Sequence, residues 1–270
     1  MRVIRFEDEH GEVCYGVPQT TGTAHKVSGD IFGKFTETNE ESMVAKLLAP
    51  IVPSQVFCIG LNYRFQAKEC GLKEPEFPVL FMKGINALQN PYDPIVIPRT
   101  LASAEVDYEA ELAVVIGRDC KNVTQPEALD YVLGYCCAND VSARDWQLKK
   151  GGGQWCRGKT FDTFLPLGPA LVLNDEIPDP GNLCLRCVVN DIEVQNWTTE
   201  DMIFSVPQLI EFLSASTTLK AGTVILTGTP HGVGMSRQPP LWLKAGDVVT
   251  VTIDGIGALT NPVVEEVLSK

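Results

Sequence analysis

With 270 residues, 34 Asp and Glu against 22 Lys and Arg, and a net charge of −12, the chain is acidic and long enough to bury a large core. It has no block of Lys and Arg to neutralise phosphate backbones or anionic lipid, which argues against nucleic acid and membrane as partners. Apolar residues at 44% and nine scattered cysteines predict a globular fold with reduced thiols rather than a disulfide scaffold. The start, MRVIRFEDEHGEV, turns acidic without an apolar signal core, and no 18-residue apolar stretch follows, so a cytosolic location is expected.

In chain order, RVIRF and EVCYGV predict a short hairpin, a polar stretch follows, and SMVAKLLAP predicts a helix ending at Pro50. These make a small N-terminal domain over 1–52, ahead of a main domain over 53–270. From Pro53 onward, short apolar runs separated by Gly and Pro predict strands: QVFCIGL, VLFMK, IVIP, AELAVVIG, LGPALVL, LCLRCVV, TVILTG and DVVTVTI. Helical patterns are confined to RFQAKECG, QPEALDYVLG after Asn122-Val123-Thr124, and VPQLIEFLSAS after Ser205. The fold class is therefore α+β, mostly β.

Two motifs are set aside. Cys184 and Cys187 form a CxxC inside a predicted strand with no second Cys/His pair at metal spacing, so packing explains them. GGGQWCRGK lacks the spacing of a phosphate loop and is expected to be a flexible loop.

Chemistry is concentrated elsewhere. In VDYEAELAVVIG, Glu109 and Glu111 are two apart, and in a strand they project from one face. Such alternation usually marks a solvent face. Here the strand continues as LAVVIG into a core, where neighbouring carboxylates repel unless a cation neutralises them. Asp140 stands at the end of another apolar run, YVLGYCCAN. Three carboxylates without His or Cys suit a hard cation, Mg²⁺, Mn²⁺ or Ca²⁺, and disfavour zinc. Lys159 in RGKTFDTF is a candidate for charge balance or proton transfer, or a solvated lysine. TGTPHGVG at 227–234 offers hydroxyls and backbone N–H groups for a carboxylate, or is an ordinary turn.

Taken together, DYEAELAVVIG, NDVSARDWQ, GKTFDTFLPLGPALV and TGTPHGVG resemble the fumarylacetoacetate hydrolase (FAH) superfamily, in particular its domain-containing-protein-2 branch, over about residues 53 to 265. The resemblance implies a rolled β-sandwich core with a small N-terminal appendage, a homodimer, and Glu109, Glu111 and Asp140 as metal ligands. It implies Gln147, Lys159, Thr229 and Tyr63 as substrate-binding residues and a small 2-oxo acid as substrate. A metal-stabilised enolate would serve carbon–carbon hydrolysis of acylpyruvates, tautomerisation or decarboxylation of oxaloacetate. Hydrolysis is the favoured expectation; tautomerase or decarboxylase action without hydrolysis, and a non-catalytic metal- and ligand-binding homologue, are the alternatives.

One departure bears on that choice. Many family hydrolases carry a His and a Glu on a short lid helix after an NY pair. Asn62, Tyr63 and Glu69 match this pattern, but Gln66 occupies the histidine position, and glutamine accepts no proton near neutral pH. If water is activated here, Lys159 or Glu69 is expected to take over that task.

Overall fold

The apolar runs pair into two large sheets in a computed structural model that describes residues 1–20 and 22–268. Position 21 of the expected N-terminal domain and the last two positions of the expected main domain lie outside the described residues. At the centre of the larger sheet lies Ala110–Ile116, with all seven residues buried, as a strand covered on both faces requires. It pairs antiparallel with Val132–Asn139 on one side and Thr223–Leu226 on the other. Beyond Thr223–Leu226 the sheet continues through Gln55–Gly60 to an edge at Val79–Met82. On the other flank Val132–Asn139 is followed by Leu165–Leu173 and then Arg2–Glu7.

The second sheet, ordered Ile192–Thr198, Cys184–Val189, Val248–Ile253, Gly257–Glu265 and Ile95–Ile97, packs against these central strands. Apolar residues from both inner faces form one continuous core, so the expected mostly-β α+β sandwich is present. In Cys184–Val189, Cys184 is exposed and Cys187 buried, so the CxxC cysteines leave opposite faces of a strand. No helix among the described residues is long and apolar enough to cross a membrane.

Of the helices expected, two form as read. Val206–Ser214 starts at Ser205, whose N–H donates to Gln208 Oε1 at 2.8 Å, and buries Val206, Leu209, Ile210 and Leu213 along one face. Arg64–Glu69 is the short helix after Tyr63. The helix read over QPEALDYVLG is instead a 3-10 segment, Gln125–Tyr131, and Val132 already belongs to the central sheet.

The helix expected at SMVAKLLAP is absent. Phe35–Met43 and Lys46–Leu48 are strands, the second paired with Arg2–Glu7 through Arg5↔Leu48 and Phe6↔Leu47. An open strand edge offers hydrogen bonds, and Val44 and Leu47 pack on a small cluster of Ile4, Phe6, Ala24 and Ala170, which outweighs local helix propensity. The predicted hairpin forms, with Ile4↔Gly16, and the polar stretch adds Thr23–Gly29 beside it.

GGGQWCRGK begins in turns, as expected, over 151–154, and departs from expectation only at its helical end. Asp145–Lys150 forms a wide helical turn and Cys156–Lys159 one further turn, and Gly158 nests against Gln147 N, where a Cβ would approach to 2.5 Å. Only glycine permits that approach, which sets Lys159 deep in the protein.

Candidate metal centre and active site

The centre is assembled where the Ala110–Ile116 and Val132–Asn139 strands run out together. Ala110 pairs with Asn139 and Glu111 with Ala138, and just beyond the ladder Asp140 N–H donates to Glu109 O at 2.9 Å. A two-residue bridge, Val106↔Ala143 and Asp107↔Ser142, then holds the flanking segments together. Glu109 itself lies outside the regular strand, its N–H taken by Asn139 Oδ1 at 3.0 Å, while the next N–H, of Ala110, goes to Gln195 Oε1 at 2.9 Å.

One carboxylate oxygen from each of Glu109, Glu111 and Asp140 lies within 4.8 Å of the others, and all three side chains are buried. Glu109 faces Lys159 Nζ at 2.6 Å and Arg144 Nη2 at 2.7 Å, the latter an ion contact outside hydrogen-bond alignment. Asp140 faces Lys83 Nζ at 2.5 Å and Lys159 Nζ at 2.9 Å. Among the described residues, Glu111 has only the Gly228 N–H as a hydrogen-bond partner, at 2.8 Å.

The electrostatics follow from these partners. Burial works against the Asp140 carboxylate, but Lys159 and Lys83 hold its pKa below the ordinary carboxylate value. Burial likewise opposes the Lys159 ammonium, and Asp140 and Glu109 outweigh it, so its pKa is raised. Lys83 is pulled down by burial, which Asp140 offsets only in part. For Glu111, burial and then Asp140 and Glu109 push the carboxyl well above its ordinary value. A fully buried carboxyl aimed at two others, short of a cation, is the feature a bound divalent ion would satisfy. The all-oxygen donor set fits Mg²⁺ or Mn²⁺.

Beside the trio opens a cavity of about 370 Å³ whose wall includes Glu109, Glu111, Lys159, Gln147, Thr229 and Gln66. Three polar residues of this wall, Gln147, Thr229 and Lys159, keep donors available. Gln147 Oε1 accepts from Arg144 Nη1 at 3.0 Å, which leaves the Gln147 amide N–H groups to donate. Gln195 Nε2 donates to Thr229 Oγ1 at 2.8 Å, leaving the threonine hydroxyl hydrogen for another acceptor. Of the three Lys159 protons, Glu109 and Asp140 occupy two. Such an arrangement is able to receive an anion.

Two expected residues stand elsewhere. Tyr63 is fully buried behind the cavity wall, and its hydroxyl has no partner among the described residues. Glu69 is off the wall as well, both carboxylate oxygens 3.1 Å from Gly232 N. Gln66, one turn earlier, does line the cavity, and its Oε1 has no partner among the described residues.

Four contributors escaped the sequence reading: Lys83, Asp107, Arg144 and Gln195. Asp107 takes Arg144 Nε at 2.9 Å and the N–H groups of Gly234 and Met235 at 2.7 and 3.0 Å, tying the guanidinium to the loop that closes the cavity. Arg144 lies in the quoted NDVSARDWQ segment, where a charged residue four positions after Asp140 was the available signal. Lys83 follows an ordinary strand pattern and offered none.

Residues 55–264 match the family described as fumarylacetoacetate (FAA) hydrolase C-terminal, and residues 1–50 match Rv2993c-like, N-terminal. A Xenopus laevis protein named oxaloacetate tautomerase fahd2, mitochondrial, is 54% identical over 81% of this chain and 68% of its own length. The Homo sapiens oxaloacetate tautomerase FAHD2A, mitochondrial, is 47% identical over 80% of this chain and 69% of its own. Among solved structures, a 2-hydroxyhepta-2,4-diene-1,7-dioate isomerase from Mycobacterium marinum superposes with a TM-score of 0.85 at 40% identity, covering 98% of this chain and 99% of that one.

Proposed function

The chain belongs to the fumarylacetoacetate hydrolase family, and from that premise we propose that it is a divalent-metal-dependent enzyme interconverting the keto and enol forms of small 2-oxo acids. The observation that carries the choice of reaction is the lid. Gln66 lines the cavity where a water-activating base would stand, and Glu69 is engaged with Gly232 away from it. Tautomerisation needs a proton delivered to and taken from carbon but no activated water. The names of the Xenopus and human relatives support the same reading.

In this proposal Glu109, Glu111 and Asp140 hold the cation, which when bound supplies the Lewis acidity that makes an enolate accessible. Arg144 and Gln147 receive the substrate carboxylate with their free N–H groups, and Thr229 fixes its orientation through its hydroxyl. Lys159 Nζ gives a proton to C3 of the enol while the enol O–H proton passes to the same nitrogen, so the ammonium is restored and the reverse reaction runs the same exchange, using the donor position that Glu109 and Asp140 leave free. Burial of Lys159, with the Phe81 ring 4.9 Å from Nζ, keeps bulk water from competing for that proton.

The test is ketonisation of enol-oxaloacetate followed by loss of enol absorbance. Acceleration with Mg²⁺ or Mn²⁺ is expected; no acceleration with either, while calorimetry still detects oxalate, would leave a non-catalytic binding protein. Carbon–carbon hydrolysis is the second reading, favoured only if Glu69 leaves Gly232 for the cavity. The proposal also takes in a homodimer, for which the exposed Leu80 and Met82 on the edge strand Val79–Met82 offer an apolar surface, checked by light scattering. A domain boundary at 52/53 and a cytosolic location, set beside relatives named mitochondrial, complete it, checked by limited proteolysis and by fractionation.

A further inference from the structure

Asp107 is not part of the cavity wall and is fully buried, yet four donors converge on its carboxylate. Oδ1 accepts from Gly234 N at 2.7 Å and Tyr108 N at 2.9 Å, and Oδ2 from Arg144 Nε at 2.9 Å and Met235 N at 3.0 Å. The Asp107↔Ser142 pairing brings the carboxylate beside Arg144. Position 234 must be glycine for the loop to come so near, since a Cβ there would meet Asp107 Oδ1 at 2.5 Å and Leu241 O at 2.0 Å.

These contacts set the rotation of the guanidinium. Asp107 takes Nε, and Gln147 Oε1 takes Nη1 at 3.0 Å, which together fix the plane of a rigid group. Nη2 is then left 2.7 Å from Glu109 Oε1 but out of hydrogen-bond alignment, a buried nitrogen with no hydrogen-bond partner among the described residues. An unsatisfied buried N–H is costly, and an arriving acceptor removes that cost. Arg144 is itself on the cavity wall, where such an acceptor would arrive. Apart from Asp107, the carboxylate in contact with this guanidinium is Glu109, and rotation toward Glu109 would satisfy Nη2 and close the position to a ligand.

We infer that Asp107 is a positioning residue: it holds the Arg144 guanidinium out of alignment with Glu109, so that Nη2 stays free for the substrate carboxylate, and it ties that setting to the loop at Gly234 and Met235. The inference rests on the 2-oxo acid reading above and assigns to it a residue outside the cavity.

Asp107→Asn keeps the shape and an acceptor for Gly234 and Tyr108, but sets an amide donor against two others, Arg144 Nε and Met235 N. Calorimetric titration of the Mn²⁺-loaded protein with oxalate is expected to show binding weaker by about tenfold or more. Loss of a negative charge alone would strengthen the binding of an anion, so equal or tighter binding overturns the proposal. Arg144→Met and the Asp107→Asn, Arg144→Met double variant are expected to bind oxalate equally, because Asp107 acts through the guanidinium; a further loss in the double variant also overturns it. The double variant removes both charges of the buried pair and carries the test if Asp107→Asn alone does not fold. In ketonisation of enol-oxaloacetate, Asp107→Asn should raise KM by a larger factor than it lowers kcat, and a fall in kcat at unchanged KM counts against positioning of the substrate carboxylate. A parent that binds oxalate but accelerates no ketonisation sinks the tautomerase reading and leaves the Asp107 comparison to stand or fall by its own binding data; a parent that binds no oxalate sinks both.

Discussion

Lys83 and Asp140 form an ion pair at 2.5 Å in which neither side chain has any solvent exposure, and Lys83 also donates to Val141 O at 3.0 Å. The pair fixes one oxygen of Asp140 and turns the other toward Lys159 and the two glutamates. Removing one partner of such a pair leaves a buried charge uncompensated. Lys83→Met is expected to cost about 3–5 kcal/mol, read as a lower midpoint in urea unfolding; an unchanged midpoint would mean the pair carries no structural weight.

Glu111 is the carboxyl of the trio whose pKa burial, and then Asp140 and Glu109, push well above its ordinary value. Glu111→Gln keeps the shape and can still accept from Gly228 N–H. The variant should therefore match or exceed the parent in thermal stability without metal, yet lose the stabilisation by Mn²⁺, which for the parent is about 2.7 kcal/mol at a hundredfold excess over Kd. A variant that keeps its Mn²⁺ response removes Glu111 from the metal site.

Lys159→Met separates proton transfer from metal binding. Loss of a positioned acid or base lowers kcat by about 10²–10⁴-fold, while the trio remains and the Mn²⁺-induced rise in Tm should persist. Retained ketonisation of enol-oxaloacetate would transfer the proton role to another group.

Gln66→His restores a titratable ring on the cavity wall one turn from Glu69. Pyruvate release from an acylpyruvate is the expected gain, measured with a coupled lactate dehydrogenase assay. No gain would indicate that Glu69 stays on Gly232 and that the lid does not activate water.

Acid sensitivity follows from carboxylates held below their ordinary pKa, Asp140 at the site among them. The Glu12 N–H lowers Asp8, Lys220 lowers Asp119, Thr124 lowers Glu127 and the Thr100 N–H lowers Glu266. With folded pKa values below the unfolded ones, their contribution is complete above about pH 4–4.5 and is lost as pH falls through the folded values. Stability in urea is expected to fall below about pH 4, and less steeply for Glu266→Gln, which has already given up its share.

Much of this protein was legible along the chain. Alternating and continuous apolar runs determine strands because side-chain period and burial are local properties, and Ala110–Ile116 shows it with every residue inside. Ser205 ahead of VPQLIEFLSAS marked a helix start in the same way. Glu109, Glu111 and Asp140 could be named because carboxylates beside apolar runs are chemically anomalous wherever the runs fold, whereas Lys159 was named through the family resemblance of its GKTF segment.

Contacts between distant segments were decided only in three dimensions. SMVAKLLAP has the makings of a helix until the edge of Arg2–Glu7 offers it a partner, and no local pattern encodes that edge. Lys83 reaches Asp140 across 57 positions, and Gln195 reaches Thr229 across 34, so neither could be seen from spacing. The sequence thus singled out Glu109, Glu111, Asp140 and Lys159 as the candidate groups, which the structure brings together. The tertiary structure decided that Glu69 turns away and that Gln66 faces in, because the positions of those groups depend on which backbone N–H groups and side chains the fold brings beside them.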